Sequence, residues 1–247
     1  MVLLGWSWVA AQTPVPAIDA GSSVEQVLDA LHASGIGLKD FSGDVSLSTT
    51  DMLGSGKTTL SGKVYYQAKG QGDARMRVIF DTREVGKKVD KESKLEYLLE
   101  DGWLIERDWK RKIQVDRQVL KPGQKIDLLK LGEGPFPLPV GQPRAEVLKS
   151  FDVKKIEAAK EDPAGTVHVQ LVPKAGTQFE RKFKTIDVWV DLKTDFPRRI
   201  ETIDPNATEV RTTELPAVQV NQGLRDGQFE LEKIGNDWTR KSEAMEQ

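Results

Sequence analysis

Apolar and polar residues alternate with two different periods along this chain. Val24, Val27, Leu28 and Leu31 recur at i, i+3, i+4 and i+7, which predicts an amphipathic helix. Ser22 and Ser23 are its N-cap candidates, with Glu25 and Gln26 three residues after each in capping-box spacing, and Gly35 and Gly37 end it. From about residue 41 the period becomes two. Val45 and Leu47 alternate with polar residues, Val64, Tyr65 and Tyr66 form a β-rich patch, and Met76, Val78 and Phe80 alternate with Arg75, Arg77 and Ile79. Leu95, Tyr97 and Leu99 lead into Asp101-Gly102, and Trp103, Ile105, Arg107 and Trp109 continue beyond it. Asp-Gly between two alternating runs is a strong hairpin signature. Ile113, Val115 and Val119 extend the meander.

The second half keeps the same habit. Val167, Val169 and Leu171 form one strand and Ile186, Val188, Val190 and Leu192 another, with Trp189 on the opposite side. Runs at 199–203 and 209–215 flank an Asp204-Pro205-Asn206 turn, and Val218, Val220, Phe229 and Leu231 close the β region. Between the halves, Ile126, Leu128, Leu129 and Leu131 suggest a short helix. The following 132–141 stretch, rich in Gly and Pro, can form neither helix nor central strand. Pro143 opens a further short helix carrying Val147, Leu148 and Phe151.

About ten antiparallel strands with one dry face need a cover, and residues 22–34 and 122–151 are the helical material available for it. The pattern therefore predicts a mainly β (α+β) fold, an open, incomplete antiparallel β-barrel with short helices as a lid. Two interiors are compatible with it, an apolar hollow under the helices or a filled core.

Composition narrows the function classes. The formal net charge is −2, with 36 basic and 38 acidic residues, so no electrostatic footprint for nucleic acid is present. The Lys110-Arg111-Lys112 run is flanked by Asp108 and Asp116 and reads as a solvated hairpin end. The chain has no cysteine, which excludes disulfides, thiolate metal sites and a lipid anchor on cysteine. Met1 to Val9 is apolar and leads to Ala10-Ala11-Gln12, so cleavage of an export signal after Ala11 is expected, although no Lys or Arg precedes the run. The predicted organisation is a leader remnant and disordered segment at 1–21, one domain at 22–235 and a flexible polar tail at 236–247.

No catalytic constellation stands out. Gly54-Ser55-Gly56-Lys57-Thr58 lacks the first glycine of a phosphate-binding loop, since position 51 is Asp51, and a strand follows it, so it reads as a hairpin turn. His32 and His168 lie on a helix and a strand without partners at ligand spacing, and no G-x-S-x-G elbow accompanies them. No cofactor is predicted.

The order helix, meander, helical excursion, strands resembles the periplasmic outer-membrane lipoprotein carrier (LolA-type) family from about Val24 to Leu231. The local matches are Glu100-Asp101-Gly102-Trp103, Leu171-Val172-Pro173-Lys174, Val188-Trp189-Val190-Asp191, Phe196-Pro197-Arg198-Arg199-Ile200 and Val220-Asn221-Gln222-Gly223-Leu224. The resemblance implies a periplasmic, non-enzymatic carrier that accepts a lipid or lipoprotein acyl chain. It also implies an inner-membrane release complex and an outer-membrane acceptor as partners, and a monomer is expected. Carriers place an Arg-Pro pair near the strand at Tyr65–Lys69, whose arginine holds the lid shut. Here Gln67-Ala68-Lys69-Gly70 stands instead, so no latch residue is carried over.

In a hollow sheet the core face and the ligand face are one surface. The expected cavity lining is accordingly Leu47, Tyr65, Met76, Val78, Phe80, Leu95, Tyr97, Leu99, Trp103, Ile105, Val169, Val188 and Val190. The expected lid residues are Leu128, Leu131, Phe136, Leu138 and Leu148. A sensor of lipoproteins built on the same fold and an enzyme of unrecognised type stand as alternatives.

Overall fold

The computed structural model describes residues 17–54, 56–70, 73–121, 124–125, 128–129, 131 and 139–245. The expected export signal, Ile126, Phe136 and Leu138 lie outside the described residues. The first helix, α1 (Val24–Gly35), begins at its capping box: the Gln26 N–H donates to the Ser23 hydroxyl, and the Ser23 N–H donates to the Gln26 side chain at 2.8 Å. Val27, Leu28 and Leu31 are buried along its apolar stripe, each contributing roughly 1.5–3 kcal/mol. The second helix, α2 (Arg144–Ser150), starts after Pro143, whose missing N–H costs nothing there.

Fourteen strands are found among the described residues. The first meander comprises β1 (Asp40–Asp51), β2 (Gly56–Gly70), β3 (Asp73–Val85), β4 (Lys88–Asp90), β5 (Leu95–Glu100), β6 (Trp103–Asp108) and β7 (Ile113–Gln118). The second comprises β8 (Phe151–Ile156), β9 (Thr166–Pro173), β10 (Thr185–Asp191), β11 (Pro197–Ile203), β12 (Glu209–Glu214), β13 (Val218–Val220) and β14 (Thr239–Glu243). They make a single sheet in the order β14-β7-β6-β5-β3-β2-β1-β12-β11-β10-β9-β8, with β4 on β3 and β13 on β1. The end strands β14 and β8 do not pair with each other, so the barrel is open. Every described pairing is antiparallel except β14 with β7, which is parallel.

Two turns explain much of the local geometry. Asp101 and Gly102 both take positive φ, 50° and 80°, as a two-residue hairpin loop of this kind requires. At Gly62 the ladder to β3 shifts by one residue, and a Cβ there would lie 1.8 Å from the Ile79 carbonyl oxygen. Only glycine permits that close approach.

One buried cluster joins α1, Leu128, Leu131, Val140 and Val147 to the side chains that β1–β3 and β9–β11 turn inward. Several elements depart from the sequence reading. Leu128, Leu129 and Leu131 lie in turns, not in the expected short helix, because a run of so few residues cannot offset helix nucleation before the Gly/Pro stretch. Phe229 and Leu231 follow a 3-10 turn (Asp226–Gln228) in a non-strand segment. The tail expected to be free from residue 236 carries β14, whose five residues are all exposed: an edge strand is held by ladder hydrogen bonds and needs no apolar pattern. The three-residue β4 lacks an apolar pattern for the same reason, and Phe151, expected in the helix opened by Pro143, instead begins β8.

Candidate functional site

Register decides which nominated residues share a face. Met76, Val78 and Phe80 pair with Leu99, Tyr97 and Leu95 across β3 and β5, and Val169 pairs with Val188 across β9 and β10. These side chains point to the face that carries α1. Met76, Val78, Phe80, Leu99, Val169, Val188 and Val190 are buried in the common core, together with lid residues Leu128 and Leu131. Leu47, Leu95, Tyr97 and Leu148 are only partly buried and pack against its margin.

Tyr65, Trp103 and Ile105 fall on the opposite face. Tyr65 pairs with Ser42 and Arg77, one step out of phase with Tyr66 and Met76. Across the Asp101-Gly102 turn, Glu100 pairs with Trp103, so Leu104, Glu106 and Asp108 share the face of Leu99, Tyr97 and Leu95. A two-residue loop thus sends Trp103 and Ile105 outward.

Beyond this cluster, the inner face opens into a cleft of ≈630 Å³ over β2, β3, β5, β6 and β7. Its apolar floor is Leu60, Leu95, Tyr97, Ile113 and Val115. Glu106 and Asp108 stand within that floor, between Tyr97 and Val115 and between Leu95 and Ile113, and Arg83, Asp90, Lys110 and Arg111 form the surround. Of the nominated residues it unites Leu95 and Tyr97. Leu60, Ile113 and Val115 were not nominated, yet each lies at an inward position of its strand: Leu60 opposite Leu47, Val115 opposite Glu106, and Ile113 opposite Asp108.

The polar groups of the cleft are mostly committed. The Lys110 ammonium donates to Asp90 at 2.7 Å, and the Arg117 guanidinium donates to Glu106 at 2.9 Å. Phe80 and Tyr97 meet edge to face with ring centroids 6.1 Å apart. Burial, then the negative charges of Glu106 and Asp108, raise the Tyr97 phenol above its ordinary value, so at neutral pH it is a neutral amphipathic wall. Such a cleft offers its apolar side chains to a hydrocarbon. Among the described residues no group of three His, Cys, Asp or Glu is placed to hold a metal ion. His168 is engaged on the outer face, where its Nε2 lies 2.9 Å from Asp187 and its ring stacks on Trp189 at 4.1 Å.

The outer face of the same strands is roofed by residues 222–238. Arg75 donates to Asp226 and lies over the Phe229 ring at 4.1 Å, Arg77 donates to the Gln228 carbonyl, and Arg107 donates to the Glu232 carbonyl. Glu96, with no exposed surface, accepts from Arg77 at 2.5 Å and from the Trp109 indole at 3.2 Å, with Arg107 at 3.7 Å. This buried polar layer keeps the sheet rigid behind the cleft.

No protein-family model matches the chain, and no curated protein matches its sequence. Solved structures are similar in fold. A LolA superfamily protein from Nitrosomonas europaea aligns over 85% of this chain and 99% of its own, at 10% identity and a TM-score of 0.31. LprF from Mycobacterium bovis aligns over 83% and 97%, at 11% identity and 0.41. The Pseudomonas aeruginosa MucA/MucB complex aligns over 84% of this chain and 60% of the other, at 12% identity and 0.47. These likenesses concern the fold alone. No helix among the described residues is long and apolar enough to cross a membrane.

Proposed function

We propose that the protein is an exported, periplasmic carrier that holds a lipid or lipoprotein acyl chain against the inner face of its open sheet. The observation that carries the reading is the ≈630 Å³ cleft with its floor of Leu60, Leu95, Tyr97, Ile113 and Val115. Its volume falls within the roughly 300–1,000 Å³ of small-ligand sites. Each methylene taken from water contributes about 0.8 kcal/mol, so a long acyl chain needs no special polar chemistry to bind. The sequence resemblance to lipoprotein carriers supports the same reading and supplies the route, from an inner-membrane release complex to an outer-membrane acceptor.

The cargo lies against the part of the inner face formed by β2, β3, β5, β6 and β7. Native mass spectrometry of protein purified from its source tests the proposal, with co-purifying lipid as the expected result. A clean apo mass, together with no binding of a fluorescent fatty acid, rejects it.

A further inference from the structure

Three hairpin tips lie at one end of the sheet, around the mouth of the cleft. The β1–β2 tip holds Met52 and Leu53, the β3–β4 hairpin holds Val85 and Val89, and the β6–β7 tip holds Lys110 to Lys112. Their adjacency follows from pairing: Thr58 sits opposite Val85, the Gly86 N–H donates to the Lys57 carbonyl, and Lys110 bridges to Asp90. Thr58, Arg83, Asp90, Lys110 and Arg111 from these hairpins also line the cleft.

Among the described residues seven large apolar side chains are exposed, and four of them are here: Leu53 at 80%, Met52 at 58%, Val89 at 51% and Val85 at 47%. Leu53 is presented by a turn in which its N–H donates to the Asp51 carboxylate at 2.7 Å, so its side chain points away from the sheet with no core to join. Stretches 51–57, 83–92 and 108–112 hold eight Lys or Arg against five Asp or Glu. The adjoining β11–β12 turn, whose Thr208 carbonyl accepts from the Met52 N–H, adds Asp204 and Glu209, so the basic character is concentrated at the β3–β4 hairpin, in Lys87 and Lys88. Apolar side chains at the extreme tip, with the Lys87-Lys88 pair beside them, match a bilayer interface carrying anionic headgroups.

We propose that these tips form a docking surface for an anionic lipid bilayer. Leu53 and Met52 enter the headgroup region, while Lys87 and Lys88 meet the lipid phosphates. Docked this way, the mouth of the cleft faces the membrane, and an acyl chain passes between bilayer and cleft without crossing open water. This last step rests on the carrier reading; the docking itself does not.

The test is co-sedimentation of the full chain with phosphatidylglycerol vesicles and with phosphatidylcholine vesicles, beside binding of a monomeric fluorescent fatty acid without vesicles. The wild-type chain is expected to bind phosphatidylglycerol vesicles, and raised salt is expected to weaken binding. Leu53→Asp is expected to weaken it roughly tenfold, the factor one buried leucine side chain contributes. Lys87→Glu with Lys88→Glu is expected to weaken it by at least as much. Both variants keep fatty-acid binding, because none of these residues lines the cleft. Wild-type protein that ignores vesicles, or tip variants that bind them as wild type does, overturns the proposal and leaves the patch to a protein partner. Vesicle binding that persists while the fatty acid fails to bind upholds the docking surface and rejects the carrier reading instead.

Discussion

Gly35 and Gly141 touch backbone to backbone: a Cβ on Gly35 would lie 2.3 Å from the Gly141 Cα. Around this contact the Gly141 N–H donates to the Leu31 carbonyl at 3.0 Å, and His32 Nδ1 lies 2.8 Å from the Gly141 carbonyl oxygen. A carbonyl only accepts, so that ring nitrogen carries the proton. The Arg144–Asp29 pair at 2.9 Å adds a second tie between α1 and the segment leading into α2. A glycine pair thus joins the end of α1 to the segment that leads into α2.

Gly35→Ala therefore forces the clip apart. The expected loss is about 1–3 kcal/mol, typical of an overpacked contact that the backbone must relieve. Urea unfolding measures it; an unchanged midpoint would mean that the segment yields freely.

Glu96→Gln removes the one carboxylate that serves Arg77, Arg107 and Trp109. Two nearly buried guanidinium groups are then left without their counter-charge, and the expected cost is about 3–5 kcal/mol. The readout is the denaturant midpoint at constant slope. A loss under about 1 kcal/mol would show that Gln114 and the backbone carbonyls suffice.

Leu95→Asp places a charge on the cleft floor beside Tyr97. Fatty-acid affinity is expected to fall about tenfold or more, since 1.4 kcal/mol is less than two methylenes' worth of contact. Leu131→Ala, in the packed core, is expected instead to cost about 2–5 kcal/mol of stability and to leave the affinity of the folded protein nearly unchanged. Equal effects of the two variants on affinity would place the cargo elsewhere.

Asp195 has its carboxyl raised by burial and by the neighbouring Asp191, and its backbone φ is 56°. A raised folded-state value means the charged form is disfavoured, so the penalty builds as pH rises from the unfolded value toward the raised one and stays constant above it. It vanishes below about pH 3.9, where the unfolded chain is protonated too. Asp195→Asn keeps the left-handed backbone that asparagine tolerates and removes the charge. It is expected to raise the melting temperature at neutral pH and to match wild type in acid; a constant difference at all pH values would refute the electrostatic account.

The regular part of the fold was legible in the sequence because its signals are local. The Ser23–Gln26 box and the Val27, Leu28, Leu31 stripe specify α1 without outside help, and Asp101-Gly102 specifies its hairpin. The cleft was only half legible. Apolar strength drew attention to Trp103 and Ile105, yet inward positions on β6 are Leu104, Glu106 and Asp108, and only counting back through the turn reveals it. The outward apolar residues make sense once residues 222–238 are seen to cover that face. Such a cover joins positions more than a hundred residues apart, beyond the reach of any periodicity. Val64-Tyr65-Tyr66 offers no alternation at all, so its phase was set by pairing with β1 and β3 alone.

The parallel strand β14 has a consequence for how the molecule is made. β7 can pair with β6 as soon as both have emerged, but its other edge waits for residues 239–243, more than a hundred positions downstream. Through that interval the nascent protein carries a raw row of amide and carbonyl groups, open to any stray extended segment. Late arrival of a short, charged finishing strand leaves assembly, more than the finished state, as the stage at which this protein is most exposed to clumping.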